Sequence, residues 1–292
     1  MVSPGLLQNP EVKRWLAGVE PAWTLLELDS LMALRKEPSA ENRALRLAAN
    51  LMNQDLLGSS ITRKAVVLLD AAVKAKGLKL TATGNLARSV VEEMRQSFEW
   101  PGHDKASAFA LHKVVNEPDF MPLFFIRTTM QKAGLLQRRK GKLLPTNSGR
   151  ELVAQGQQGS LQATLFHIAC WRLDLSYFGR GLLGSWPQSD MGVVLWSLST
   201  AASDWGTPEK LSRLCTIPNQ AGLENTGWDR GAIAFEARIL QPLVWFGLLD
   251  RRTESDPGPV LSETYLYRKS QIFDRFLEFD VKIERQGAMA HY

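Results

Sequence analysis

Three residues at helical spacing, His167, Cys170 and Asp174, are the best candidates for metal chemistry in this 292-residue chain. On a single helix they would share one face, and three such side chains could bind a metal ion. This spacing alone far more often belongs to a structural helix face with a buried cysteine and a half-buried histidine. The other histidines are scattered and Cys215 has none nearby. We therefore expect no metal and no other cofactor.

A second candidate is Thr83-Gly84-Asn85, which precedes a predicted helix and could help its N-terminus to bind an anion. The segment matches neither the phosphate-loop nor the dinucleotide-binding pattern, so an ordinary helix cap is the simpler interpretation. The sequence also contains no GxSxG, HExxH or CxxC motif. We therefore predict that the protein is not an enzyme.

The distribution of charge is more informative than the net charge of +5. Residues 61–150 contain 16 Lys and Arg but only 7 Asp and Glu, which gives this segment a net charge of +9. The segments on either side are slightly acidic, at −1 for residues 1–60 and −3 for residues 151–292. This asymmetry favours an acidic partner, usually nucleic acid, although a solvated basic face is a common alternative.

A six-residue phrase occurs twice, as GLLQRR at 134–139 and as GLLDRR at 247–252. Before the first copy, Met121–Ala133 places apolar residues at helical spacing, and Gly134 is typical of a helix end. After the glycine we predict strands at Leu135–Arg139 and Lys142–Pro145, joined by a tight Lys-Gly turn. The phrase therefore indicates a helix end followed by the first strand of a hairpin.

The elements before the first hairpin complete a familiar order. We predict helices over 62–76 and 86–98 with a brief strand at 78–81 between them. Helix, strand, helix, helix, strand, strand is the order of a winged helix, in which the hairpin forms the wing.

The second copy repeats this order less clearly. We predict helices over 191–202, from Thr207 to Cys215 and over 231–246, with an interruption near Pro242. A hairpin at 248–252 and 259–262 and a last helix at 267–279 follow.

These elements predict a mainly α fold with short β-hairpins, an α+β class with two winged-helix-like units plus N-terminal and connecting helices. Helices are predicted over residues 10–58, and the connecting helix over 161–178. The predicted boundaries are 1–60 for the N-terminal helical region, 61–158 for the basic winged-helix unit, 159–190 for the connecting helix and 191–292 for the second unit.

Four stretches, LKLTATGNL, AGLLQRRKGKLLPTNSG, LQPLVWFGLLDRR and YRKSQIFDRFLEF, resemble a family of uncharacterised bacterial proteins, some of them described as plasmid open-reading-frame-three-like. The likeness covers roughly residues 62–280. Its motifs are mostly apolar and specify a fold more than a reaction. The family has no established activity, so the resemblance implies no catalytic residues. The second hairpin differs, with TESDPGP in place of a short basic turn.

Ten basic or polar residues form the predicted interface with duplex DNA. Recognition-helix residues can reach base edges and wing residues the phosphate backbone, as in other winged helices. The candidates are Arg127, Thr128, Gln131 and Lys132 on the helix, Arg138, Arg139, Lys140 and Lys142 on the wing, and Lys79 and Arg88 beside them. Partial burial of this helix by Phe124 and Phe125 is the alternative interpretation.

Two hypotheses remain open for the function. One is a DNA-binding protein that uses the basic first unit, with the second unit for packing or dimerisation because its wing carries Glu254 and Asp256. The other is a structural or adaptor protein whose winged helices contact proteins in a bacterial complex. The sequence contains neither a signal peptide nor a membrane-spanning stretch, so we expect a cytoplasmic protein with reduced cysteines and no membrane partner.

Overall fold

The computed structural model describes residues 6–97, 100, 115–152, 157–179, 183–219, 229–254 and 264–284. The chain forms two compact units. We call Ala48–Leu173 together with Leu243–Leu248 the basic unit. We call Met1–Leu47, Asp174–Pro242 and Leu249–Tyr292 the three-segment unit. The fold is mainly α-helical with small antiparallel sheets, as the sequence predicts.

The basic unit is built mainly from helices. Helix α3 (Ser60–Lys74) begins where the Ser59 hydroxyl accepts a hydrogen bond from the Thr62 amide, at 3.3 Å. Helices α4 (Arg88–Ser97) and α5 (Met121–Lys132) follow. Helix α6 (Asn147–Leu152) and helix α7 (Gln158–His167) complete the described helices of this unit. Helix α3 packs against α5 and α7, so the unit has a continuous helical core.

A three-stranded antiparallel sheet closes the basic unit. Strand β2 (Leu78–Lys79) pairs with β4 (Lys142–Pro145), and β4 pairs with β3 (Leu136–Arg139), which gives the order β2-β4-β3. Lys140 and Gly141 join β3 to β4 with φ angles of 47° and 70°. Positive φ at both central residues is the type I′ geometry that suits a two-residue hairpin. The predicted brief strand and first hairpin are thus confirmed.

The three-segment unit brings together distant parts of the chain. It contains α1 (Pro10–Leu16), α2 (Leu28–Leu34), α8 (Met191–Ala201) and α9 (Pro208–Cys215). Strand β1 (Leu45–Leu47) pairs antiparallel with the late strand β7 (Leu277–Phe279). Of the predicted N-terminal region 1–60, the part up to Leu47 shares a compact unit with strand β7, whereas the part from Ala48 belongs to the basic unit. The division into units is therefore not linear in sequence.

One long helix leads into the second hairpin. It runs as α10 (Arg230–Phe235), a π-helical turn (Glu236–Leu240) and α11 (Gln241–Trp245), and Gly247 follows it with a φ of 73°. Proline has no amide hydrogen, so a proline inside a helix removes one ladder bond and favours such an irregular turn. The predicted interruption near Pro242 is thus confirmed as a widened turn just before the proline.

Two long predicted helices are wrong in part. The span 10–58 is helical only at α1 and α2 and in short 3₁₀ turns, because residues 45–47 form a strand with a partner more than two hundred residues away. The predicted helix at 267–279 is instead strand β6 (Tyr265–Lys269), a single helical turn α12 (Phe273–Phe276) and β7. Strand β6 pairs with β5 (Leu249–Thr253), whereas the predicted partner at 259–262 lies outside the described residues.

The predicted connecting helix is also shorter than expected. Helix α7 ends at His167, a π-helical turn follows at Ile168–Arg172, and a separate 3₁₀ segment covers Leu175–Gly179. The boundary between the two units falls in this interval, between residues 173 and 174.

Candidate nucleic-acid interface

Three cations lie side by side on the sheet of the basic unit. Lys142 on β4 is directly opposite Lys79 on β2 and directly opposite Arg139 on β3. Residues opposite each other in an antiparallel sheet point to the same face, with Cβ atoms about 5 Å apart. We call these three residues the cation row. All three are exposed.

The neighbouring row explains why this face is the outer one. Leu143 is fully buried on β4, and its partner Leu78 is only 3% exposed. Because side chains alternate along a strand, Lys79 and Lys142 must point away from the core. The alternation of buried leucines and charged residues along the strands therefore places the cation row on the solvent-facing side of the sheet.

Two more exposed cations lie near the hairpin turn. Lys140 occupies the first position of the type I′ turn and is exposed. Arg138 is exposed as well, but it is opposite Leu143 and therefore lies on the other face of the sheet, where its guanidinium fills the space that a Cβ atom at Gly84 would need. Glycine at this position, with a φ of 89°, leaves the room that a larger side chain would fill.

Within the described part of the chain, none of these five side chains makes an ion pair. Among the described residues, the one hydrogen bond that these side chains make is a long one, 3.4 Å from Lys142 Nζ to the backbone carbonyl of Lys76. Like charges placed directly opposite each other in a sheet destabilise it. The arrangement therefore costs folding energy, and an external polyanion would relieve that cost.

The predicted recognition helix contributes much less. Arg127 is only 9% exposed, its Nε donates to Glu117 at 2.7 Å, and its Nη1 donates to Gln131 Oε1 at 2.6 Å. The Thr128 hydroxyl oxygen is buried. Lys132 is exposed, but at the last turn of the helix. The structure therefore holds Arg127 and Gln131 in internal contacts instead of presenting them at the surface.

A buried carboxylate that the sequence analysis missed organises this region. Glu117 has no exposed surface, and its Oε2 accepts a hydrogen bond from the Leu86 amide at 2.6 Å. Its Oε1 receives the Arg127 guanidinium, so one side chain ties α5 to the chain that leads into α4. A buried charge needs such a paired and hydrogen-bonded environment. The Asn-Glu-Pro-Asp run was the only sequence signal, and it is typical of a helix start.

Arg88 is the last of the predicted residues, and it is separate from the cation row. It lies at the first turn of α4, where its Nε donates to Asn116 Oδ1 at 3.0 Å. Together with Lys79 it lines a cavity next to the sheet. The structure thus groups Lys79, Arg139 and Lys142 on one face of the sheet, with Lys140 at the turn. It places Arg138 on the other face of the sheet and Arg88 beside the row.

The second hairpin carries arginines too, but they are already engaged. The guanidinium groups of Arg252 and Arg268 both stack on the Trp205 ring, each 4.5 Å from its centroid. Arg268 also pairs with Asp250 at 3.3 Å. On the other face, Arg251 stacks on Tyr265 at 4.4 Å. The shared phrase GLLxRR therefore leads to an open cationic face in one hairpin and an internally satisfied one in the other.

The candidate metal ligands are in ordinary structural surroundings. Cys170 lies in the π-helical turn after α7, and burial raises the pKa of its thiol. The His167 ring packs on Trp171 with centroids 5.6 Å apart. Hydrogen bonds from Ser176 lower the pKa of Asp174. The described ranges hold no group of three His, Cys, Asp or Glu side chains suited to a metal ion.

Residues 57–158 match the family model of the Y4jL N-terminal domain. The chain is also 35% identical over 99 residues to "Uncharacterized protein y4jL" of Sinorhizobium fredii (strain NBRC 101917 / NGR234). That match covers 34% of this chain and 45% of the relative, so the chain spans less than half of the relative's length. No solved structure is significantly similar to the chain. The basic unit is therefore similar to a domain of an uncharacterised bacterial protein.

None of the helices within the described ranges has the length and apolar character that crossing a membrane requires.

Proposed function

We propose that the basic unit is a winged helix that binds duplex DNA through its sheet and wing, mainly by contacts with the phosphate backbone. The cation row carries this proposal. Lys79, Lys142 and Arg139 are opposed across three strands, exposed and without ion pairs among the described residues. Several closely spaced cations can each neutralise a phosphate along a DNA duplex, which releases the counterions bound there.

The topology of the unit supports the winged-helix part. Three helices at 60–74, 88–97 and 121–132 alternate with a strand and a hairpin in the expected order. The first strand pairs with the last strand, which is the pairing that a winged-helix sheet uses. In the three-segment unit, Gly206 precedes helix α9 as β2 precedes helix α4, and it forms a bridge with Tyr267 in the last hairpin strand, β6. Two winged-helix-like units in tandem account for both arrangements.

The surface favours backbone contacts over base reading. Base recognition needs polar side chains that are free to enter the major groove. Arg127 and Gln131 are instead hydrogen-bonded to each other. Lys132 is the exposed cation on that helix, whereas the wing and sheet present five. We therefore infer weak sequence preference and strong salt dependence.

For the second winged-helix-like unit we propose packing or dimerisation within a cytoplasmic protein. Its hairpin arginines stack on Trp205 and Tyr265, and one of them is paired with Asp250. Cations that already stack on aromatic rings or pair with a carboxylate of the protein gain less from phosphate than unpaired cations do.

Fluorescence anisotropy with a labelled duplex tests the proposal. The change is the double variant Arg138→Glu with Lys140→Glu, and the matched control is Lys36→Glu with Arg43→Glu, two exposed residues of the three-segment unit. Both variants change the net charge equally. We expect the first to abolish binding at low salt and the second to leave most of it. No binding of the wild type at low salt, or equal losses in both variants, would refute DNA binding through the wing.

The adaptor hypothesis is the second candidate, and the internal hydrogen bonds of Arg127 and Gln131 on the recognition helix are the observation behind it. A helix that does not present these side chains to DNA bases is compatible with a protein-binding winged helix and with one that binds only the DNA backbone. Affinity purification in high salt separates the two, because phosphate contacts weaken steeply with salt and an apolar protein interface does not.

A further inference from the structure

A concave site lies next to the basic sheet and is not explained by DNA binding. It has a volume of about 690 Å³ and lies within the basic unit. Its walls come from residues 79–81, from the turn and helix start at 83–88, and from residues 116–119. Volumes of 300–1,000 Å³ are typical of sites for small molecules.

Two cations line this cavity. The side chain of Lys79 makes no hydrogen bond or ion pair with the described part of the chain. Arg88 uses its Nε on Asn116, so its two terminal nitrogens are the remaining donors. The Thr83 hydroxyl also lines the cavity, 2.9 Å from the Thr81 hydroxyl, which itself bonds the Asn85 backbone.

The two carboxylates in the lining cancel only part of this charge. Glu117 has no exposed surface, and its oxygens are occupied by Arg127 and the Leu86 amide. Asp119 is exposed, and its Oδ2 accepts two hydrogen bonds from Asn116, at 2.9 Å from the amide and 3.1 Å from Nδ2, so its charge stays at the site. Two cations therefore stand against one exposed carboxylate in the lining.

We propose that this cavity binds a small molecule that carries a phosphate group, with Lys79 and Arg88 as the residues that hold the phosphate. Two cations that line one concave site can bind a phosphate by charge-assisted hydrogen bonds. Thr83 adds a hydroxyl group at the same wall.

The shape of the site favours a free ligand over a nucleic acid backbone. Walls from three chain segments form a half-open recess, whereas the cation row lies on the outward face of a sheet. A duplex is a long cylinder and suits the outer face better than a recess. Because Lys79 belongs to both surfaces, an occupied cavity would also reduce the charge available for DNA.

Isothermal titration of the full chain with inorganic pyrophosphate tests the proposal. We expect a dissociation constant below about 1 mM and a loss of about tenfold in the Arg88→Gln variant, the loss expected for one charge-assisted contact. The matched control is Arg139→Gln, which removes a charge from the cation row but not from the cavity. We expect it to change the affinity less than threefold. If Arg88→Gln fails to fold, as judged by its melting curve, Lys79→Gln takes its place.

The outcomes are distinct from those of the DNA experiment. No pyrophosphate binding up to about 5 mM overturns the cavity proposal and leaves DNA binding untouched. Equal losses in Arg88→Gln and Arg139→Gln would overturn it too, because they indicate a diffuse cationic surface. A loss of duplex binding in Arg88→Gln without pyrophosphate binding would assign the cavity to the nucleic acid backbone instead.

Discussion

Reversing the charge at the centre of the cation row should weaken DNA binding and stabilise the fold at the same time. Lys142 is directly opposite both Lys79 and Arg139, so Lys142→Glu converts two repulsive pairs into two attractive ones. A residue kept only for stability would not show such opposite effects. The variant therefore separates a functional surface from a solvated basic face.

The magnitudes follow from the geometry. Each cross-strand charge pair contributes roughly 0.2–1 kcal/mol, so converting two pairs should raise the free energy of unfolding by about 1 kcal/mol. A phosphate contact in a water-like dielectric is worth about 1 kcal/mol, so reversing the charge costs about 2 kcal/mol of binding, or about 30-fold in affinity. With five exposed cations on the two sheet faces and the turn of the wing, the slope of log affinity against log salt should be about −4.5 in the wild type.

Urea unfolding and duplex anisotropy on the same protein samples provide the assay. Lys36→Glu is the control for a change in net charge, because Lys36 is exposed and lies in the three-segment unit. We expect Lys142→Glu to unfold at higher urea than the wild type and to bind with a shallower salt slope. A destabilised Lys142→Glu protein with unchanged DNA affinity would refute the reasoning.

Three further predictions concern the scaffold and need only stability measurements. Gly134→Ala should lower the free energy of unfolding by about 1–2 kcal/mol, because Gly134 has a positive φ. Gly247→Ala should lower it clearly more, because its Cβ would also meet neighbouring backbone at 2.8 Å. Similar losses of stability for the two variants in urea unfolding would contradict this. Arg127→Ala should cost about 3–5 kcal/mol, since it strands the buried Glu117 carboxylate, and a loss below about 1 kcal/mol would exclude that role. Burial and a hydrogen bond to a carboxylate raise the pKa of Tyr267. The protonated side chain therefore contributes its full stabilisation below about pH 10, the pKa of an unfolded tyrosine. Above that pH, the contribution to the free energy of unfolding falls by up to about 1.4 kcal/mol for each pH unit. Melting curves of Tyr267→Phe should lose that part of the alkaline decline, and an unchanged decline would contradict the assignment.

Local patterns were enough to predict the basic unit. Apolar spacing in 121–133, the glycine after it and the Lys-Gly turn are signals within a few residues of the element they specify. The structure has the helix at Met121–Lys132 and the two hairpin strands close to the predicted positions. The sequence could also predict which cations lie on the wing.

Pairing between strands that are distant in the sequence could not be predicted from local patterns. Strand β1 depends on β7, and neither three-residue segment carries a strand signal of its own. The apolar and aromatic residues from Tyr265 to Phe279 fit a helical stripe equally well, and only their partners in β5 and β1 decide otherwise. Tertiary context overrides local propensity in such cases.

The candidate site shows the same limit at the level of side chains. Helical spacing correctly put Arg127 and Gln131 on one face of a helix, but it could not show that a carboxylate from residue 117 covers that face. In the second hairpin, the two arginines of the repeated phrase look free in the sequence and stack on aromatic rings in the structure. Partners distant in sequence determine which cations remain available.

The salt dependence of duplex binding tests the central claim most directly. Wild type is compared with the triple variant Lys79→Gln, Arg139→Gln and Lys142→Gln, which removes the cation row without adding negative charge. The account predicts wild-type binding that falls about 500-fold between about 50 and 200 mM salt, and a triple variant whose slope is shallower by about 3. Equal slopes in the two proteins, or no wild-type binding at the lowest salt, would contradict it.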